Sequence, residues 1–199
     1  MTLLAATDPA LDSSRDIAVA VAQIDTADRL TATAQEMRNE ILRLVDGRPD
    51  AADRTTRPGH LTGSAMVVDA TAEHVVLLFH AKLRRWLQPG GHADGNMNLA
   101  AVALREATEE TGIAALRIDP VPIDLDIHEV APPSEDCHLH LDVRFLVVAP
   151  PGAELRANHE STDLRWVRWE ELDRYDVDDG LLRLAAAARN RSALRRPWR

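Results

Sequence analysis

Residues 91–97 read Gly91-His92-Ala93-Asp94-Gly95-Asn96-Met97, and after seven further residues comes Arg105-Glu106-Ala107-Thr108-Glu109-Glu110-Thr111-Gly112-Ile113. The apolar spacing predicts a helix over about 98–111, stopped by Gly112, a residue suited to helix C-termini. On that helix Glu106, Glu109 and Glu110 stand at i, i+3 and i+4, so three carboxylates converge on one face. Ala100, Leu104, Ala107 and Thr111 form an opposite face of small residues that can pack closely on a sheet. Like charges at this spacing disfavour a helix. A hard divalent cation removes that penalty, because Mg²⁺ or Mn²⁺ takes a few carboxylate oxygens together with substrate phosphate oxygens. The pattern therefore points to phosphoryl or diphosphate chemistry, with a solvated acidic face as the competing reading from spacing alone.

Outward from this helix the chain reads as short strands. Residues 61–68 and 74–79 flank a turn at 69–73 and read as a hairpin. Pro89-Gly90-Gly91 is a tight turn, and 123–130 and 138–148 alternate polar and apolar residues as strands do. A further strand is expected at 165–168, followed by short helices at 170–175 and 180–191. Strands and helices mix without strict alternation, so the class is α+β, a layered sheet with flanking helices. Before them, residues 1–13 show no periodicity and read as a frayed end. Residues 13–47 read as two helical pieces, with Ile17, Val21 and Ile24 on one face, then Leu30, Ala34, Met37, Ile41 and Leu44 after a cap at Asp25 or Thr26. Residues 48–59 form a linker. The expected division is an N-terminal helical extension, 1–50, which packs on the body or makes a homodimer contact, and a catalytic domain, 51–199.

Composition narrows the partners. With 199 residues the chain is long enough for one domain with a sizeable core. Its 23 Lys+Arg against 32 Asp+Glu give a net charge of -9, which argues against nucleic-acid polymers and anionic membranes. Cys137 is the single cysteine, so no internal disulfide forms and a cytoplasmic location is the expectation. No secretory signal or membrane-length apolar run is visible.

The run from Gly91 to Ile113 resembles the signature of the Nudix hydrolase family: Gly, five residues, Glu, seven residues, then Arg-Glu-apolar-x-Glu-Glu-x-Gly-apolar. Gly91, Arg105, Glu106, Ala107, Glu109, Glu110, Gly112 and Ile113 fall in register. One position departs: the first Glu of the pattern is Met97, and Asp94 is the nearest loop carboxylate that could replace it. The resemblance implies an α/β/α sandwich with a mixed sheet, and a hydrolase cleaving a diphosphate linkage in a nucleoside diphosphate-X type small molecule. It implies Mg²⁺ or Mn²⁺ held by Glu106, Glu109 and Glu110, water attacking phosphorus, and Arg105 orienting a neighbouring glutamate. Glu160, six residues before Trp166, stands where some members carry a further ligand or the general base; a solvated loop residue is the alternative. The departure at Met97 favours, as an alternative function, a weakened nucleotide-binding module.

Histidines make a second constellation. His60 opens the first main strand and His92 follows the Gly-Gly turn, while His138 and His140 alternate with Asp142 and Arg144 on one strand face. Gly59-His60-Leu61-Thr62, Gly90-Gly91-His92 and His138-Leu139-His140 also resemble type I isopentenyl diphosphate isomerase, a Nudix-fold relative whose metal is held by histidines and glutamates. His60 and His92 match its histidines, His138 and His140 stand in place of its glutamates, and Gly90 replaces its turn cysteine. A metal-dependent isomerase or lyase acting on a diphosphate is thus the other alternative, with a second site for Zn²⁺, Mn²⁺ or Fe²⁺ at the four histidines; a wet sheet face is the simpler reading. Candidate substrate contacts are His80, Lys82, Arg84 and Trp86, for phosphates and a base, with Gly91 and Arg144. Asp124, Asp126 and His128 alternate on a strand as either a polar face or part of the site.

Overall fold

The structure is a computed structural model that describes residues 2–81, 83–131, 136–156 and 161–193, with backbone alone at 161 and 162. In chain order the elements are β1 (Leu4–Ala5), α1 (Ile17–Asp25), α2 (Ala32–Val45), β2 (Gly59–Val68), β3 (His74–His80), β4 (Arg85–Leu87), β5 (Gly90–His92) and α3 (Leu99–Thr111). There follow β6 (Arg117–Ile118), β7 (Asp124–Val130), β8 (His138–Val148), β9 (Ser161–Arg168) and α4 (Asp179–Ala193), with 3₁₀ turns at Pro9–Leu11 and Trp169–Arg174.

The strands form one mixed sheet. β2 and β8 run parallel in register from Gly59↔Leu139 to Val68↔Val148, and β7 flanks β8 antiparallel from Asp124↔Arg144 to Val130↔His138. On the other side β5 pairs with the first half of β2, and β3 pairs antiparallel with β9 and β4. The expected hairpin of 61–68 with 74–79 is corrected by this register: β2 and β3 meet at Val68↔Val75, beside their turn, because β8 and β5 occupy the edges of β2.

Alternation along the strands sorts the two faces. Leu61, Ala65 and Val67 of β2, Leu141, Val143, Phe145 and Val147 of β8, and Leu125 of β7 belong to one core with α3 and the N-terminal helices. Met66 and Val68, Leu146 and Val148, and Val75 and Leu77 form a second core against Leu181, Leu184, Ala185 and Ala188 of α4. The result is an α/β/α sandwich. The rest of the second face, at and beyond the first turns of α4, carries the polar side chains.

Local chemistry sets the helix ends. Asn98 caps α3 by accepting from the Ala101 N–H, and Gly112, at φ +66°, ends it with its N–H donating to the Thr108 carbonyl. Thr31, rather than Asp25 or Thr26, caps α2, and Thr26 closes α1. The first residues are not frayed: β1 pairs with β6, Leu11 is buried, and the Asp8 carboxylate caps the turn at Pro9–Leu11. Pairing satisfies backbone groups that a free end would leave to water.

The extension is clipped to the start of α3. The Met97 N–H donates to the Ser14 carbonyl at 2.6 Å, and the Asn98 side-chain amide donates to the carbonyls of Ala10 and Asp12 at 2.9 and 3.0 Å. Gln23 accepts from the Leu99 N–H at 2.8 Å and donates to Asn98 at 2.7 Å. Among the described residues, no helix is long and apolar enough to cross a membrane.

Candidate functional site

The short strand β5 links two groups of side chains. Gly91 pairs with Gly63 on the α3 side, whereas His92 pairs with Thr62 and carries its ring to the opposite face. A Cβ on Gly91 would lie 2.6–2.8 Å from the Glu106 carboxyl atoms, closer than real contacts allow, so a glycine here lets that carboxylate lie against the turn.

Around this turn the helix carboxylates are held in different ways. Arg105 reaches Glu106 at 2.7 Å and Glu109 at 3.5 Å, and donates to the His92 carbonyl at 3.1 Å. Glu110 is buried and accepts from the Gly90 N–H at 2.9 Å, which fixes the turn to the helix. The Glu109 side chain is 59% exposed and that of Glu106 is 15% exposed, so both can meet a ligand from solvent. Glu106, Glu109 and Glu110 together offer the hard oxygen donors that suit Mg²⁺ or Mn²⁺.

Met97, where the family pattern has a glutamate, is 1% exposed and packs in the core shared with the N-terminal helices. Asp94 takes no part in replacing it, because both its oxygens pair with Arg54 at 2.8 and 2.7 Å. Met97→Glu is therefore expected to destabilise the protein by at least about 1–3 kcal/mol, the cost of burying an unpaired neutral polar group and a lower bound for a carboxyl, and to leave activity unimproved. Denaturant midpoints and turnover measured side by side check this; a gain in turnover at unchanged stability would contradict it.

On the opposite face β2, β5, β7 and β8 converge on a cluster of imidazoles. His60 lies 5.1 Å from His92, 5.0 Å from His138 and 5.1 Å from His140 between ring centroids, and His140 lies 5.0 Å from His92 and 5.3 Å from His128. His60 is fully buried and neither ring nitrogen has a hydrogen-bond partner; His140 Nε2 lacks one too. Burial, with the neighbouring His92 and His138, pushes His60 down to about 4, and burial with His128 and His92 pushes His140 down to about 3. Both rings are neutral near pH 7. The sequence did not assign His128 to this group; its register opposite His140 does. The signal for it was the alternation of Asp124, Asp126 and His128.

Deeper on the same face, Arg144 is not a substrate contact. Its side chain is 4% exposed and its guanidinium is committed to Asp142 at 2.8 Å, Asp126 at 2.9 Å, Asp124 at 3.3 Å and the Gly180 carbonyl at 3.0 Å. Arg183 of α4 adds pairs to Asp124 and Asp126, and the Ser64 and Thr62 hydroxyls donate to Asp142. Although burial raises them, Asp126 and Asp142 lie below the usual carboxylate range because His128, Arg144 and Arg183 at Asp126 and Arg144 at Asp142 outweigh it; burial prevails at Asp124, which is raised.

The remaining candidates lie on the β3–β4 hairpin or outside the described residues. His80 accepts from the Leu83 N–H, Arg84 is exposed at φ +53°, and Trp86 packs edge-on to Phe79 and Tyr175 with Arg165 over its ring. Trp86 is thus a packing residue between hairpin and C-terminal segment. Lys82 and Glu160 lie outside the described residues.

Known structures share this fold. A hydrolase of the NUDIX family from Clostridium perfringens is 24% identical, covering 68% of this chain and 98% of that one at a TM-score of 0.56. A C. elegans Ap4A hydrolase in a binary complex is 16% identical, with 68% and 98% covered and a TM-score of 0.56. The NUDIX domain of Shewanella oneidensis NrtR, complexed with ADP ribose, is 20% identical, with 70% and 92% covered and a TM-score of 0.50. No curated protein matches the sequence. The NUDIX domain model matches residues 60–190, from the histidine that opens β2 to the end region of α4, and with the carboxylate helix in register the chain belongs to the Nudix family.

Proposed function

We propose that the protein is a divalent-metal-dependent hydrolase that cleaves a diphosphate linkage in a nucleoside diphosphate-X type small molecule. The observation that carries this reading is the convergence of Glu106, Glu109 and Glu110 beside the Gly90-Gly91 turn, tied together by Arg105 and the Gly90 N–H. Three carboxylates on one helix face repel one another, and hard cations are the partners that turn this repulsion into binding.

Glu106, Glu109 and Glu110 would hold Mg²⁺ or Mn²⁺, which when bound lowers the pKa of water and offsets the charge of a diphosphate. Arg105 keeps Glu106 against Gly91 by a charge-assisted bond and anchors it to the main chain of His92. Glu110, buried, fixes the turn that the substrate approaches. A protein of net charge -9 needs this local reversal of sign to accept an anionic substrate.

The test is a panel of ADP-ribose, diadenosine tetraphosphate and a prenyl diphosphate, each incubated with the full chain and MgCl₂ or MnCl₂. Cleavage that requires the ion and stops with EDTA is expected. If every compound survives, or if cleavage is undiminished by EDTA, the reading is wrong; a prenyl diphosphate that isomerises without losing phosphate would assign the isomerase chemistry instead.

A further inference from the structure

The imidazole cluster lies outside the carboxylate site and is left unused by the hydrolysis just proposed. It is assembled from four strands: His60 of β2, His92 of β5, His128 of β7, and His138 and His140 of β8. Sheets bring polar residues together wherever one face is wet, but His60 and His138 are 0% and 3% exposed. Buried ring nitrogens normally find a hydrogen-bond partner, and an orphaned one calls for an explanation such as a bound ion or water. Here both nitrogens of His60 and Nε2 of His140 are orphaned at the centre of a ring of further imidazoles.

We propose that His60, His138 and His140, with His92 and His128 at its open side, form a binding site for one borderline transition-metal ion of the Zn²⁺, Co²⁺ or Ni²⁺ class, distinct from the carboxylate site. The ligand atoms of His60, His138 and His140 all lie within 4.8 Å of one another. Nitrogens on one such ion, each about 2.0–2.1 Å from it, stand no more than about 4 Å apart. Ring rotations of less than about 1 Å therefore close the set.

The outer contacts orient the rings. His138 Nδ1 is 2.7 Å from the Asp136 carbonyl, which makes Nδ1 the protonated nitrogen and leaves Nε2 for the ion. His128 Nδ1 is 3.1 Å from Asp126, a carboxylate that Arg144 and Arg183 hold in place. Carbonyl and carboxylate partners of this kind set the tautomer and aim of metal-ligating histidines.

Donor chemistry separates this site from the first. Imidazole suits Zn²⁺, Co²⁺, Ni²⁺ and Cu²⁺, whereas Mg²⁺ keeps to oxygen. His128 is 42% exposed in its side chain, so the cluster opens to solvent on that side and an ion has a way in. The two sites meet through His92, whose ring joins the cluster while its carbonyl accepts from Arg105.

The experiment strips the full chain of metal with a chelator and titrates it with Co²⁺, reading ligand-field absorption, and with Zn²⁺ in competition. With millimolar Mg²⁺ present to occupy the carboxylate site, one equivalent of Co²⁺ should bind, with a spectrum of nitrogen ligation. His140→Gln should weaken binding by more than the roughly 10–100-fold typical of an outer-shell loss. His128→Ala, at the exposed edge, should weaken it about tenfold with folding intact, and keeps the test open should variants of buried His60 or His140 not fold. Glu109→Gln should leave the nitrogen-ligated Co²⁺ band in millimolar Mg²⁺ unchanged, so loss of the hydrolysis reading and loss of this one are told apart. Absence of saturable Co²⁺ binding to the wild type would overturn the proposal, as would full-strength binding in both His140→Gln and His128→Ala.

Discussion

Arg144→Met is expected to lose about 3–5 kcal/mol of stability, because removing one partner of a buried ion pair leaves an uncompensated buried charge. In a chain of this length that corresponds to a fall in Tm of about 6–20 °C. The loss is concentrated at Asp142, which keeps the Ser64 and Thr62 hydroxyls but no cation, while Asp124 and Asp126 retain Arg183. Arg144→Met combined with Asp142→Leu should recover part of the loss, since both charges then leave the interior together. Thermal melts of the two variants decide it. A melting temperature within about 2 °C of wild type, with a raised KM, would make Arg144 a substrate contact after all.

Glu106→Gln is expected to lower kcat by about 10²–10⁴. A bound divalent ion contributes several kcal/mol to an anionic transition state, and each 1.36 kcal/mol is a factor of ten. The amide keeps the shape of the side chain but removes the charge that faces Arg105 at 2.7 Å. That pair is 43% exposed on the arginine side, so stability should change by less than about 1 kcal/mol. Steady-state kinetics and a melt on the same preparation separate the two effects. Wild-type turnover in Glu106→Gln would remove Glu106 from the machinery, and a collapsed melt would make its role structural.

These two residues mark what the sequence could and could not say. The carboxylate helix was legible because i, i+3 and i+4 spacing is local, as are its Asn98 and Gly112 ends. The two faces of β8 were legible for the same reason: period-two alternation from His138 to Val148 fixes which side chains share a side. Arg144 was misread because its role depends on Asp124 and Asp126 of β7 and Arg183 of α4, and no local pattern announces their registers. The same holds for the parallel pairing of β2 with β8, and for β5, which takes the edge of β2 at Thr62–Ser64 and confines the expected hairpin to a pairing beside its turn. Met97 read as a defect in a motif; its burial under the N-terminal segment follows from a contact with Ser14, far away in sequence. His128 joined the imidazoles through its register with His140, another tertiary fact.

The extension also gains a physical role that composition hid. The Gln23 side chain accepts from the free N–H groups of Leu99 and Ala100 in the first helical turn, while the carbonyls of Ala10, Asp12 and Ser14 hold the Asn98 side chain and the Met97 N–H in front of it.

Whether water cleaves a phosphoric anhydride at this carboxylate helix is read from turnover in H₂¹⁸O. The full chain is incubated with MgCl₂ and the substrate found in the panel, and the products are weighed by mass spectrometry. One ¹⁸O bound to phosphorus in one product and none in recovered substrate is the expected result. Products without the label, or a substrate bound and returned unchanged while Mg²⁺ is present, would contradict it.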